Sequence, residues 1–314
     1  MCGIAGAIGQ GAAEITRKMT AALVHRGPDD DGYLASGETA LGFRRLSIID
    51  VDGGHQPISN ETRDIHLICN GEIYNSPVLR RRLEKEGHRF RSRSDVEVIL
   101  HLYESLGTSC VDHLRGMFAF AIWDERDGSL LLARDHMGQK PLFFAEVGGR
   151  FLFASEIQAL LASGVIDREL NIEGLWHYLS LRALPDDLTL LRTVKKLPAA
   201  SFLTRSRDGA LSVHRYWDPR FEPKLKMGEH DAVDALEERL KETVKSHLLS
   251  DVTVGAFLSG GIDSTTISAM AAREQEAPLP VFCVGVEEAS FNELPTARKV
   301  ADSENMRFFG RQVR

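Results

Sequence analysis

Two α/β halves of different texture are predicted, the first built on antiparallel sheets and the second on a parallel one. Three observations lead there. Between residues 116 and 155, four strand-like runs ("GMFAFAIWD", "GSLLLARD", "PLFFAEV", "RFLFAS") succeed one another across Gly- and Asp-containing turns, with few helices between them, as antiparallel neighbours do. From about residue 230, strands and helices alternate: "TVGAFL", "TTISAMAARE", "PVFCVGV", "LPTARKVADSE" and "MRFFGRQV". That order predicts a doubly wound parallel sheet. The stretch between them, residues 206–229, is polar, proline-punctuated and weakly periodic. It reads as a linker, which sets the domains at 1–205 and 230–314.

The elements follow in order. "IAGAIG" is a short buried strand, and residues 14–25 are a helix ending before the turn "HRGPDDDG". "TALGFRRLSIID" and "DIHLICNGEIYN" each run an apolar strand into a polar end, where functional groups usually sit. Two helices come next. Pro77 to Glu86 starts with proline at a tolerated first-turn position, and Asp95 to Leu106 follows Ser94 as its cap. Past the linker, "DAVDALEERLKETVKSHLL" aligns Val233, Leu236, Leu240, Val244 and Leu248 on one helical face.

Composition narrows the function classes. Hydrophobic residues make up 43% of the 314 and charged ones 26%, and no stretch approaches the roughly 20 apolar residues of a membrane span. A net charge of −7 argues against broad nucleic-acid binding, and the arginine-rich run Arg80 to Arg93 reads as a solvated helix and its exit. No secretory signal opens the chain, so the cytoplasm is expected. Four cysteines without CxxC spacing give neither a disulfide framework nor a zinc site.

Two motifs carry chemistry. Cys2 stands directly behind Met1; because its side chain is small, removal of Met1 would leave a thiol beside a free α-amine, a nucleophile next to its own base. In "FLSGGIDSTT" a strand delivers Gly260 and Gly261 to a helix N-terminus, where backbone N–H groups and the dipole favour an anion. Ser259 and Ser264 add hydroxyls, and Asp263 could hold Mg²⁺. The loop is not GxxxxGK[ST]. Its form is similar to the pyrophosphate loop of enzymes that adenylate a carboxylate with ATP.

The ordered set "MCGIAG", "RGPDDDG", "RRLSIID", "NGEIYN", "SDVEVIL", "RGMFAFAIWD", "RDHMGQKPL" and "FASEIQAL" resembles the class II, N-terminal-nucleophile glutamine amidotransferases. Joined to "VGAFLSGGIDST", it resembles glutamine-dependent asparagine synthetases over essentially the whole chain. That resemblance implies a four-layer α/β/β/α Ntn-hydrolase fold, followed by part of an adenylating domain. It implies that Cys2 attacks glutamine, with the oxyanion held by the Asn70 side chain and the Gly71 N–H. Glutamine would be held by Arg45, Leu46, Ser47, Ile48 and Ile49, by Asn70, Gly71 and Glu72, and by Asp95, with Arg45 on the α-carboxylate and Asp95 on the α-ammonium. ATP would lie on Leu258, Ser259, Gly260, Gly261, Asp263, Ser264 and Val284; Leu258 and Val284 also read as ordinary core. L-glutamine, L-aspartate and ATP with Mg²⁺ are the implied substrates, without a prosthetic group and without a nucleic-acid or membrane partner. A homodimer through the first domain is the family's habit.

Departures from the pattern are visible. Phe43 stands where the wording is usually histidine, and is expected to be packing; Arg26 of "HRGPD" is expected to brace a loop. Asn292 replaces an aspartate. A second serine–glycine motif has no counterpart, and about 85 residues after residue 230 make a small domain with an unpaired edge strand. A truncated chain, unable to complete asparagine synthesis by itself, is the expectation. An amidotransferase acting on another carboxylate, and a glutaminase-only or glutamine-binding fragment, stay open beside asparagine synthesis.

Overall fold

The computed structural model describes residues 1–185 and 187–313, in two compact units, Met1–Arg220 and Phe221–Arg314. The first opens with β1 (Gly3–Ile8), α1 (Ala12–Ala21), β2 (Asp30–Ser36), β3 (Thr39–Arg45), β4 (Ile58–Ser59) and β5 (Ile65–Ile73). It continues through α2 (Ser76–Lys85), α3 (Glu97–Leu106), a 3₁₀ turn at Gly107–His113, β6 (Gly116–Asp124), β7 (Ser129–Arg134), β8 (Phe143–Val147) and β9 (Arg150–Ala154). It closes with α4 (Ile157–Ala162), α5 (Ile172–Leu181), β10 (Val194–Lys196), β11 (Ser201–Arg205) and β12 (Leu211–Arg215).

Two antiparallel six-stranded sheets result, ordered β10-β8-β9-β1-β3-β2 and β12-β11-β7-β6-β5-β4. Side-chain alternation then assigns every face. Ile4 and Ile8 of β1, Leu41 and Phe43 of β3, and Ile68 of β5 share one apolar cluster with Ala119 and Ala121 of β6, so this cluster lies between the sheets. Ala5 and Ala7 turn the other way, onto α1 and α4. Leu67 and Cys69 turn away from the sheet interface onto α2 and α3. The layers are therefore helix, sheet, sheet, helix. Phe43, fully buried between the sheets, is packing as expected.

Several elements differ from the sequence reading. The first helix spans Ala12–Ala21 rather than 14–25, because Gly11 in the left-handed region starts it early. Ser94 does not cap α3: the cap position is Val96, without a side-chain bond. The stretch read as linker from 206 begins with β12, which pairs with β11 from Ser201↔Arg215 to Arg205↔Leu211. β2, read as part of a turn, pairs along β3 from Asp30↔Arg45 to Ser36↔Thr39.

The second unit holds α6 (Glu229–His247), β13 (Ala256–Phe257), α7 (Ile262–Arg273), β14 (Pro280–Val286), α8 (Leu294–Ser303) and β15 (Arg307–Val313). Its sheet is parallel, ordered β13-β14-β15. Val281 and Cys283 of β14 share a core with Ala271 of α7 and Ala297 and Ala301 of α8. The alternate residues Phe282 and Val284 are exposed, so among the described residues helices cover one face. Of the stripe on α6 only Val244 is buried; Val233 and Leu236 are exposed.

Candidate active site

Strand parity builds the site. Cys2 precedes β1 on the side of Ile4, Arg45 ends β3 on the side of Leu41 and Phe43, and Asn70 lies on β5 on the side of Ile68. All three side chains are thereby directed into the space between the sheets. There they line a cavity of about 180 Å³ with Leu46, Ile48, Ile49, Gly71, Glu72 and Asp95. That is smaller than the roughly 300–1,000 Å³ of sites for drug-sized ligands. Ser47 is the one expected glutamine contact outside the lining; its N–H donates to Asp29 Oδ2 at 2.8 Å.

The Cys2 thiol rests on the backbone of Leu46, accepting from its N–H at 3.4 Å and facing its carbonyl at 3.6 Å. Burial pushes the thiol pKa up, while the Leu46 N–H, the chain's amine, Arg45 and Lys140 pull it back. Burial likewise lowers the pKa of the Met1 amine. Arg26 does more than brace a loop. Its Nε donates to the Cys2 carbonyl at 2.8 Å and its Nη1 to Glu156 Oε1 at 2.8 Å, fixing the backbone that carries the thiol. Ser155 Oγ accepts from the Ile4 N–H at 3.0 Å, a second brace on the same strand.

Asn70 is buried, and its Nδ2 has no hydrogen-bond partner among the described residues. A buried donor left unmade costs about 1–3 kcal/mol, and this one lines the same cavity as the Cys2 thiol. At Gly71 a Cβ would stand 2.3 Å from the Met117 carbonyl oxygen, so only glycine lets β5 approach β6 here. Arg45 is held by carbonyls, with Nη1 on Val51 at 2.9 Å and Nη2 on Ile49 and Asp50.

Asp95 accepts from the Ile73 N–H at 2.6 Å. Burial and the nearby Glu72 raise its pKa to about 7, against backbone hydrogen bonds that lower it. Because the folded value exceeds the unfolded one, its contribution to stability is complete below about pH 4 and is lost as pH rises through 7. Between those limits the protein forfeits up to about 4 kcal/mol relative to an Asp95→Asn variant. Thermal unfolding from pH 4 to 8 is expected to show the parent's midpoint falling relative to the variant's; parallel curves would contradict it.

Some lining residues were not singled out in the sequence. Lys140, only 7% exposed, enters from the turn after β7, which Asp135 organises by accepting from the N–H groups of Met137, Gln139 and Lys140. Gln56 pairs with both backbone groups of Cys69. Both are identifiable only once remote segments meet.

In the second unit, Ser259 Oγ lies 2.8 Å from Ser264 Oγ and accepts from the Gly261 N–H at 3.3 Å. Gly260 adopts φ +82°, a left-handed conformation that favours glycine. The loop thus meets the start of α7, where Asp263 stands exposed. Leu258 is buried and its N–H donates to Phe282 O at 2.9 Å. Val284 is 57% exposed, which corrects its reading as core: it lies on the sheet face that, among the described residues, no helix covers. Asn292 Oδ1 accepts from the Leu294 N–H at the start of α8, so the departure from aspartate keeps a local role.

Known proteins resemble this chain in sequence and in fold. Residues 1–217 match the glutamine amidotransferase domain family and residues 235–307 the asparagine synthase family. The chain is 40% identical over 288 residues to asparagine synthetase [glutamine-hydrolyzing] 1 of Bacillus subtilis, covering 92% of this chain and 45% of that protein. It is 36% identical over 285 residues to asparagine synthetase B of Escherichia coli, covering 86% of this chain and 44% of that one. The chain thus spans about half the length of these relatives. Among solved structures, the glutamine phosphoribosylpyrophosphate amidotransferase of B. subtilis aligns over 98% of this chain and 65% of its own, with a TM-score of 0.54 at 19% identity. A likeness at that identity shows the fold.

Proposed function

Because the chain belongs to the glutamine amidotransferase domain family, matched over residues 1–217, we propose that it hydrolyses L-glutamine at Cys2 and serves glutamine-dependent asparagine synthesis. The observation that carries the reading is the cavity joining the Cys2 thiol, the Asn70 Nδ2 that has no partner among the described residues, Arg45 and Asp95. Removal of Met1 frees the Cys2 amine, with an ordinary pKa of about 7.7–8.0, to take the proton of the thiol, whose own pKa burial raises. The thiolate attacks the side-chain amide, and the oxyanion that forms is met by Asn70 Nδ2 and the Gly71 N–H. Ammonia leaves, and water cleaves the γ-glutamyl thioester to glutamate. Arg45 binds the α-carboxylate and Asp95, with Glu72, the α-ammonium.

The match of residues 235–307 supports the second step, in which ATP with Mg²⁺ activates aspartate and ammonia displaces AMP. Here Ser259, Gly260, Gly261 and Ser264 would cradle pyrophosphate at the start of α7, Asp263 would meet Mg²⁺, and the backbone at Leu258 and Val284 would meet adenine. Four free cysteines support the cytoplasm as the compartment, and the homodimer is retained as part of the proposal. No helix among the described residues is long and apolar enough to cross a membrane.

The two steps separate experimentally. Glutamate release measured with glutamine alone, and pyrophosphate release measured with ATP and aspartate added, are expected to report the first and second units independently. Since an ammonium needs Asp95 ionised, and burial raises the Asp95 pKa to about 7, kcat/KM for glutamine is expected to fall about tenfold per pH unit below that value. Pyrophosphate release that requires neither ATP-loop serine would contradict the second assignment.

A further inference from the structure

On the outer side of the second sheet, four side chains from three segments converge. Glu61 comes from the turn between β4 and β5, His88 from the loop after α2, and His101 and Glu104 from one face of α3. One ligand atom of each lies within 4.8 Å of all the others. We propose that this cluster is a structural site for a divalent transition metal of the zinc type.

The geometry is near to what such an ion requires. Bonds of about 2.0–2.2 Å in a tetrahedron separate ligand atoms by about 3.4 Å. Glu104 Oε2 stands 2.8 Å from His101 Nδ1 and 3.5 Å from His88 Nδ1, and Glu61 Oε2 stands 3.9 Å from His101 Nδ1. All four ligand atoms lie within 4.8 Å of one another, so adjustment of the side chains is needed to reach that spacing. The set of two imidazoles and two carboxylates suits zinc better than magnesium or calcium, which prefer oxygen alone.

The surrounding bonds orient each ligand. Glu61 spends Oε1 on the Arg89 N–H at 2.9 Å, and Glu104 spends Oε1 on Asn60 Nδ2 at 2.9 Å, so each leaves Oε2 for the centre. His88 Nε2 meets Ser105 Oγ at 3.0 Å. His101 is 1% exposed, and its Nε2 has no hydrogen-bond partner among the described residues while facing Glu97 Oε1 at 3.7 Å. A metal on Nδ1 fixes the proton on Nε2, where that carboxylate receives it; this carboxylate–histidine pairing is usual behind metal ligands. The ion would tie α3 and the β4–β5 turn to the loop that leads to Asp95.

The test uses the full chain in a Cys2→Ala background, so that the cavity thiol cannot account for bound metal. After chelation, addition of zinc chloride and gel filtration, elemental analysis is expected to give one zinc more per chain than in the same protein carrying Glu61→Gln and His88→Gln. Zinc is also expected to raise the parent's thermal midpoint and to leave that of the double variant, folded by circular dichroism, where it was. Equal zinc content in the two proteins, or none retained by the parent, would overturn the site.

Discussion

Replacement of Cys2 by alanine is expected to lower glutamate release from glutamine by about 10⁴-fold or more, to the background rate, because it removes the proposed nucleophile. The thiol is partly exposed and packs only at the edge of the inter-sheet cluster. Its loss removes few contacts, so thermal stability should change little. The brace from Arg26 goes to the Cys2 carbonyl, which alanine keeps. A folded Cys2→Ala protein that still releases glutamate at the parent's rate would place the nucleophile elsewhere. Steady-state glutamate assays beside thermal melts separate the two effects.

Asn70→Ala is expected to lower kcat by about 10²–10³-fold, the usual effect of removing one oxyanion donor. Its stability signature runs the opposite way from that of most buried polar truncations. Asn70 Nδ2 has no partner among the described residues, so alanine deletes an unmade donor and should leave the unfolding midpoint unchanged or raise it. A structural asparagine would give the reverse pattern, intact turnover and lost stability. The neighbouring Gly71→Ala cannot be used in the same way: its Cβ would press on the Met117 carbonyl and on Phe118, displacing β6.

Much of the first unit is legible because alternation does two jobs at once. The residues that make β1, β3 and β5 apolar toward the other sheet also fix the side to which Cys2, Arg45 and Asn70 point. What the sequence conceals depends on tertiary partners. β12 ("LSVHR") looks like linker because its side chains are largely exposed, and only its pairing with β11 makes it a strand. Glu156 gives no local sign that it anchors Arg26, 130 residues earlier. Ser94 has the chemistry of a cap, but its N–H is taken by Ser92 Oγ and the helix starts beyond it. In the second unit the alternation of β14 is equally clear, yet one of its faces stays open, so periodicity alone overstates the burial of Val284.

On the proposed function, residues 1–217 form a working glutaminase whose nucleophile is the residue behind Met1. Its most direct test is the yield of glutamate and ammonia from L-glutamine by the purified chain, without ATP or aspartate, once an intact-mass spectrum shows Met1 removed. Equal amounts of the two products, accompanied by a γ-glutamyl adduct on Cys2 in rapidly quenched samples, are the predicted result. Folded protein with a free Cys2 amine that yields neither glutamate nor adduct would contradict the account.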